Sequence, residues 1–591
     1  EKRRGITINL GFAYCKLPCG KTAGFVDVPG HERFIKNMLA GASGIDIAMI
    51  VIAASEGVMP QTREHISILR YLGIEKAVIV MTKVDTVDDE FRELVLEDTK
   101  EYLSATFLKN APIVETDAVS GKGLTELLDV LDSMARDVHK EAAVRPARMP
   151  VDRVFTVKGF GTVVTGTLIE GAIHLNDELE VYPQGLPVKV RGIQIHEEEV
   201  TAARAGQRTA LNLSGVSVAQ LRRGSVVAKR GSLHAAYALD VFFSAADDAE
   251  KNIKKMDKLK LYLGAAEVVV KVILLDRKML CPGEECYMRL LADVPVIARK
   301  DDRFVLRSLT PVQTVGGGHV VDATGNRFPY TPAQALEIMG IKDKGTPDRI
   351  LEAFAKENLF GEKDAIAAAA NLENVDALFA ALAQSGKVLA FQNRVAHIDA
   401  LQALLTRTLN ILEAYHAQYP LRAGISKAEL QGKLDFTAQS REFEWLQDWM
   451  KETRQIAQSG SVIYKAGFTP VFSAKLGKLK EDMLNAVQTA GYSLLTTADL
   501  AGNEKDKDRQ MVLEALLQTE FMLLEGQIVL PKALYEQAKQ IAVRLAETEG
   551  AIRLPDFRDR LETSRKYALL LLEKMDSDRF TCRQGEERIL I

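Results

Sequence analysis

Residues 24–32 read Gly24-Phe25-Val26-Asp27-Val28-Pro29-Gly30-His31-Glu32, an apolar run closed by an acid, a turn and a histidine. The run 24–28 reads as a buried strand, and the period of 32–40 as the helix after it. Open α/β sheets bind ligands at the C-terminal ends of their strands, which is where Asp27 stands. A carboxylate there can hold the water shell of a Mg²⁺ ion. Gly30, with no Cβ, lets the backbone approach a γ-phosphate. His31 follows at a point from which it can orient an attacking water. The D-x-x-G pattern alone is a frequent accident, so its reading depends on its company.

That company is specific. Thr82-Lys83-Val84-Asp85 follows a second apolar run, 77–81. An aspartate there can accept from N1–H and the exocyclic amine of guanine, a pair adenine does not offer, while the Lys83 stem covers the base plane. Val119-Ser120-Gly121-Lys122 comes after the next strand, placed to close over the base. Upstream, Arg4-Gly5-Ile6-Thr7-Ile8 offers the Thr7 hydroxyl as a second Mg²⁺ ligand. Strands at 47–53, 77–82 and 112–115 alternate with helices at 32–40, 61–72 and 90–107, the mark of a doubly wound parallel sheet.

Near residue 144 the texture changes to short strands with Gly-rich turns, such as 153–157 and 162–168. It runs to about 322 with a break near 230–233, and reads as two consecutive β-barrels. From Tyr330 the chain is helical and Ala/Leu-rich. Hairpins recur at 386–398, 460–465, 521–530 and 580–591, roughly every 65 residues. Two or three helices closed by a hairpin is the winged-helix plan; helix bundles with accidental hairpins are the alternative, weakened by four recurrences. The expected domains are 1–143, 144–231, 232–329, 330–400, 401–470, 471–532 and 533–591, the last with a small core of its own that predicts independent folding.

Composition bounds the function classes. The 591 residues are 47% hydrophobic and 26% charged, too many for one core. No stretch approaches ~18 consecutive apolar residues, so no membrane span is expected. Five cysteines suit a reducing cytoplasm, where the chain is placed. With a net charge of −4, a nucleic acid must be held by local patches. There is no initiator Met and no G-x-x-x-x-G-K-[ST] phosphate loop. Cys19-Gly20-Lys21-Thr22 imitates that loop but precedes a strand, so a hairpin tip is the favoured reading. These features predict a chain truncated at its N-terminus, with GTP hydrolysis by the chain as it stands in doubt.

The stretch DVPGHERFIKNMLAGASGIDIAMIVIAASEGVMPQTREHI from Asp27, with TKVD at 82–85, resembles the translational GTPases, close to elongation factor Tu. EKRRGITI at the start, DVPGHE, TKVD and VDRVFTVKGFGTVVTGTL at 151–168 resemble the bacterial selenocysteine-specific elongation factors (the SelB branch), as does the winged-helix array. The resemblance implies a GTPase domain, two β-barrels and a winged-helix arm. It further implies GTP/GDP and Mg²⁺ as cofactors, with selenocysteinyl-tRNA, the ribosome and a messenger RNA hairpin at a recoded UGA codon as partners of a monomer. Asp152, Arg153 and Arg208 match the family's aminoacyl pocket. A selenol is more acidic than a thiol (pKa ~8.5) and largely anionic near neutrality, so fixed cations could select it over serine. As residues alone, both arginines read better as barrel surface. In the last module, residues 551–591 hold nine Lys/Arg against eight Asp/Glu, so charge placement must carry RNA binding. Arg565 and Lys566 at a helix start, with Arg583 and Arg588 on the wing, are the expected contacts.

Two departures accompany the resemblance. Thr82 stands where most GTPases carry Asn, and Leu261-Tyr262-Leu263-Gly264 replaces an expected His-containing stretch. Trp445 and Trp449, at i and i+4, read as core anchors. Cys281 and Cys286 lack a second ligand pair for zinc, and His196 reads as a loop residue without a catalytic partner. Two other functions remain open: another tRNA-delivering GTPase, or a helical interaction scaffold on an inert G domain.

Overall fold

The computed structural model describes residues 7, 9–31, 34–42, 44–138, 145–325, 330–422, 424–436, 440–502 and 506–591. The motif residues Arg4, Gly5, Ile6, Ile8 and Glu32, and the boundary expected at 143, lie outside them. The chain divides into two compact units, 1–397 and 398–591.

In the first unit the order is β1 (Gly11–Lys16), β2 (Thr22–Asp27), α1 (Ile35–Gly41), β3 (Ala48–Ala53), α2 (Pro60–Tyr71), β4 (Ala77–Thr82), α3 (Asp89–Ser104), β5 (Ile113–Glu115) and α4 (Leu124–Arg136). β4 reads Ala-Val-Ile-Val-Met-Thr and is buried from Ala77 to Met81, as a central parallel strand must be. It pairs in parallel with β3 and β5. Its Ile79 faces α2 and α3, whose Ile66, Leu69 and Leu103 share one core. Its Val78 and Val80 face Leu131 of α4 and Leu17 of the β1–β2 hairpin. The sheet is therefore covered on both faces, as expected.

The hairpin corrects one expectation. Residues 24–28 do not join the parallel sheet among the described residues; β2 pairs antiparallel with β1, Gly11 opposite Asp27. Its tip is the false phosphate loop: the Gly20 N–H donates to the Leu17 carbonyl (2.9 Å), and Lys21 Nζ donates to the Ala135 and Val138 carbonyls (2.7 and 3.0 Å). That lysine caps the C-terminal end of α4, where carbonyls carry negative charge.

The first barrel is an antiparallel path in the order 148–150, 226–229, 178–182, 186–195, 208–214, 161–167, 153–157. The second is a closed six-stranded barrel of Ala235–Ala245, Glu285–Ile297, Ala266–Leu274, Lys258–Leu263, Arg303–Arg307 and Thr314–Asp322. Gly317 has a local reason to be glycine: a Cβ there would lie 2.4 Å from that of Tyr71 on α2. Beside it Glu64 of α2 accepts from Arg307 Nη2 (3.1 Å) and the Thr314 hydroxyl (2.9 Å). The unexplained Leu261–Gly264 stretch belongs to this contact, because Tyr262 is buried among Ile35, Met38, Leu39, Ile68 and Tyr71 of α1 and α2. Its aromatic face thus seats the helix that follows the Asp27 motif.

All four expected hairpins are present, at Val388–Phe391/Arg394–His397, Ile456–Ser459/Val462–Lys465, Phe521–Leu524/Ile528–Pro531 and Thr581–Gln584/Glu587–Leu590. Each gains a two-residue third strand, Gly361–Glu362, Ile425–Ser426, Leu495–Thr496 and Ile552–Arg553 in turn. The helices are α5 (Pro332–Lys344), α6 (Pro347–Glu357), α7 (Lys363–Ala370) and α8 (Asp376–Gln384) in the first module. The second has α9 (Ile398–Gln418), α10 (Lys427–Lys433) and α11 (Ser440–Glu452). The third has α12 (Ala474–Ala490), α13 (Thr497–Ala501) and α14 (Lys507–Thr519), and the last α15 (Lys532–Glu549), α16 (Leu554–Leu561) and α17 (Arg565–Ser577).

Two packing expectations are corrected. On α11 the core is Phe443, Leu446 and Met450, while Trp445 and Trp449 are only half-buried. The core of the last module is not its own: Leu494, Leu524, Ile528 and Leu530 of the third module pack with Tyr535, Phe557 and Leu571. Strand alternation explains it, since Val529 and Phe521 face the third module's core and their neighbours face the other way.

Candidate functional site

The residues singled out in the sequence fall into three sets in the first unit. The first lies at the C-terminal ends of β4 and β5. Thr82 ends β4, its hydroxyl 3.4 Å from the Ile52 carbonyl. Lys83 then takes a left-handed conformation (φ 58°), which turns the chain into the 3₁₀ turn Val84–Thr86 and leaves Lys83 and Asp85 exposed. On the neighbouring strand the Thr116 N–H donates to the Met81 carbonyl (2.7 Å), bringing the 117–122 loop alongside. Ser120, Gly121 and Lys122 form that turn, with Gly121 at φ 80°. Its hub is Asp117, missed in the sequence: the buried carboxylate accepts from the N–H groups of Val119 (2.9 Å) and Ser120 (2.8 Å). The Ser120 hydroxyl, then those two N–H groups, hold its carboxyl below the usual range. An acid two residues past a short strand was the available signal.

The second set surrounds β2. Asp27 is exposed, its Oδ2 3.3 Å from where Gly11 would carry a Cβ. A Cβ on Gly30 would meet open space, so the chain's own packing does not demand glycine there; room for a phosphate would. His31 is half-buried, its ring 5.9 Å from that of Phe34. Thr7 is half-buried, and among the described residues no hydrogen bond ties it to Asp27. The pair supplies a carboxylate and a hydroxyl, the hard oxygen donors that suit Mg²⁺.

The third set lies where the first barrel meets the β1–β2 hairpin. Arg208 donates to buried Asp152 from both terminal nitrogens, and the Thr165 hydroxyl donates to the same carboxylate (2.8 Å). Arg153 instead donates to the Leu10 carbonyl (2.7 Å) and is exposed. Both guanidiniums lie over the Phe12 ring, at 3.5 Å for Arg208 and 5.2 Å for Arg153. Phe12 went unnoticed in the sequence because nothing local joins it to residues 140 positions away. His196, expected as a loop residue without a catalytic partner, lies in the turn after Ile195 and packs its ring 4.7 Å from that of Tyr14 across the same junction.

In the last module Arg565 and Lys566 are exposed at the start of α17, where the Ser564 hydroxyl accepts from the Tyr567 N–H (3.2 Å). Arg583 is exposed on the wing. Arg588 contradicts its expected role: it is 3% exposed and its Nε donates to Asp576 (2.7 Å), so its charge is spent inside the module. Strand alternation again explains it, since the wing turns Arg588 inward.

Family models match along the chain: the elongation factor Tu GTP-binding domain over 1–137, elongation factor Tu domain 2 over 161–228, and the β-barrel domain of selenocysteine-specific elongation factor over 241–327. Winged helices of elongation factor SelB match 409–464 and 544–590. The selenocysteine-specific elongation factor of Desulfomicrobium baculatum is 34% identical over 602 aligned residues, covering 100% of this chain and 94% of that protein. The chain belongs to the selenocysteine-specific elongation factors. The Escherichia coli member is 30% identical over the same shares of each chain. A crystal structure of a bacterial selenocysteine-specific elongation factor, EF-Sec, superposes with a TM-score of 0.73 at 22% identity, over 100% of this chain and 94% of that one, which shows the shared fold. As a selenocysteine-specific factor the protein is a translational GTPase, and guanine-nucleotide binding follows from its GTP-binding domain.

Proposed function

We propose that this factor carries selenocysteinyl-tRNA to the ribosome at recoded UGA codons as a GTP–Mg²⁺ complex, while its C-terminal arm holds a messenger RNA hairpin. The observation that carries this reading is the family match over the whole chain, joined to the unequal arginines of the pocket. Arg208 faces a carboxylate, so its charge is already balanced; among the described residues Arg153 meets only neutral groups, the Leu10 carbonyl and the Phe12 ring, and retains a charge for an anionic selenolate. Phe12 gives the selenium atom a polarizable wall.

In this reading Asp85 accepts from the guanine edge, Lys83 covers the base, and Ser120, Gly121 and Lys122 close over it. Thr7 and Asp27 would hold Mg²⁺, which supplies charge neutralisation at the phosphates. Gly30 gives the γ-phosphate room, and His31 orients the attacking water. Phe12 pairs with Val26, one residue from Asp27, so the hairpin links phosphate end and amino-acid pocket within one element. Arg565, Lys566 and Arg583 would meet RNA phosphates.

Equilibrium binding tests the reading. The GTP-loaded protein should hold selenocysteinyl-tRNA at least tenfold more tightly than the same tRNA carrying serine. Equal affinities would contradict it.

A further inference from the structure

We propose that His196 and Tyr14 are a positioning pair that fixes the β1–β2 hairpin over the amino-acid pocket and so sharpens the choice of selenocysteine over serine. The inference rests on the reading of Arg153 and Phe12 as that pocket. Phe12 and Tyr14 stand two residues apart on β1, so they share one face of the hairpin. Phe12 meets Arg153 and Arg208 of the first barrel. Tyr14 meets His196 of the same barrel, with ring centroids 4.7 Å apart and planes inclined by 38°. Gly24, paired with Tyr14 across the hairpin, would carry a Cβ 3.7 Å from His196 Cε1. The imidazole therefore lies against both strands of the hairpin.

The turn that presents the imidazole is built against local preference. Ile195 pairs with Glu198, which leaves His196 and Glu197 as a two-residue hairpin loop, both left-handed (φ 53° and 68°). Loops of that shape favour Asn-Gly. The contact adds little core in return, because Tyr14 remains 55% exposed. Its consequence is geometric. Leu10 and Phe12 fasten the start of β1 to the barrel through arginines that must also answer the ligand. His196 holds the strand at a second point, farther along, so the hairpin cannot pivot about the first. A pocket discriminates at full strength only when its groups are held to within about 0.5 Å. The pair thus sets where the Phe12 ring stands against the guanidiniums.

Equilibrium binding of selenocysteinyl-tRNA, and of the same tRNA carrying serine, to the GTP-loaded full protein tests this, with His196→Asn, Tyr14→Thr, Tyr14→Phe and Arg153→Ala as variants. Asparagine suits the left-handed turn and threonine suits a strand, so the melting temperature should hold in both. Each should lose roughly three- to tenfold in preference for selenocysteine, the worth of one aromatic pair. Tyr14→Phe keeps the ring and should keep the preference. His196→Asn combined with Tyr14→Thr should lose no more than either alone, since both remove the same contact. If both tRNAs weaken equally, the pair is only a brace between domains and the proposal falls. An unmoved ratio in His196→Asn and Tyr14→Thr also overturns it, provided Arg153→Ala lowers the ratio, and so do losses that add in the double variant. An unmoved ratio in Arg153→Ala would instead remove the pocket reading on which the proposal stands.

Discussion

Arg153 and Arg208 carry the same charge over the same ring, yet their replacement should do different things. Arg153→Ala removes a cation that, among the described residues, meets only neutral groups, the Leu10 carbonyl and the Phe12 ring. Affinity for selenocysteinyl-tRNA should fall by about one to two decades, the worth of a charge-assisted contact of roughly 1.5–3 kcal/mol, while seryl-tRNA binding changes little. Arg208→Ala strands the buried Asp152 carboxylate, so the first consequence should be a lower melting temperature, read by calorimetry. His31→Ala should slow ribosome-stimulated GTP hydrolysis and leave nucleotide affinity intact; stopped-flow binding beside single-turnover hydrolysis separates the two. At this scale the sequence displayed what short motifs carry: Asp27, Gly30, His31, Thr82, Lys83 and Asp85. It hid what only folding brings together, such as Phe12 beneath two arginines. Arg588 shows the converse, because a strand's alternation, invisible in a charge count, decides which of its arginines meets solvent.

Between elements, a polar weld joins the second barrel to the first winged module. Lys342 of α5 is 3% exposed in its side chain and pairs with Asp322 of the barrel and with Glu357 of α6 (2.6 Å). Next to it Asp343 accepts from the Tyr287 hydroxyl (2.9 Å) and lies 2.6 Å from His319 Nε2. Lys342→Ala would leave two buried carboxylates unpaired, at a cost of about 3–5 kcal/mol, visible as an earlier denaturant transition. The weld should also be acid-labile. Burial pushes the Asp322 and Asp343 carboxyls up, but Lys342 with Thr324 at the first, and His319 with Tyr287 and Lys344 at the second, together more than offset this, so both end below the ordinary value. Groups lowered on folding stabilise above their unfolded pKa, near 4, and that stability is lost as pH falls through their folded values. Hydrogen exchange across α5 between pH 5 and 3 would report it. Burial raises Glu357, which works in the opposite direction.

The last two modules are coupled more closely than their spacing suggests. Residues 533–591 alone would expose the surface that Leu524, Ile528 and Leu530 cover, so they should melt with little cooperativity, whereas 474–591 should unfold in one sharp transition. Circular dichroism melts of the two fragments decide this. Three of the four hairpins were legible because a turn glycine, Gly460, Gly526 or Gly585, punctuates them; the first turns instead at Gln392-Asn393. The two-residue third strands and the shared core were not, since neither leaves a period in the sequence.

Across the whole molecule, the first unit is clasped by a chain of charges. Arg148 of the first barrel is 8% exposed in its side chain and donates to Asp302 of the second (2.7 Å) and to Glu170 (2.9 Å), which Arg299 also reaches. Arg145 continues the chain to Glu373 of the first module (3.0 Å), and Asn371 of that module donates to Asp301 (2.8 Å). Barrels and first module are thereby tied together. In the proposed function RNA contact falls to the last module, where Arg565, Lys566 and Arg583 have no carboxylate within 4 Å among the described residues. Replacing Arg565 and Lys566 by Ala should flatten the slope of log affinity against log salt by about 0.7–0.9 per lost phosphate contact, while Arg588→Ala should lower the melting temperature instead.

In the proposed function one chain couples a selenocysteine-loaded tRNA to a messenger RNA hairpin through GTP. Incorporation of selenocysteine can be measured on ribosomes stalled at a UGA codon, supplied with the full protein, GTP and selenocysteinyl-tRNA, with and without the downstream hairpin. Selenocysteine should enter the peptide when GTP and hairpin are both present, and fall sharply when either is withheld or when Arg565 and Lys566 are replaced. Equal incorporation without the hairpin, or none in its presence, would contradict the account.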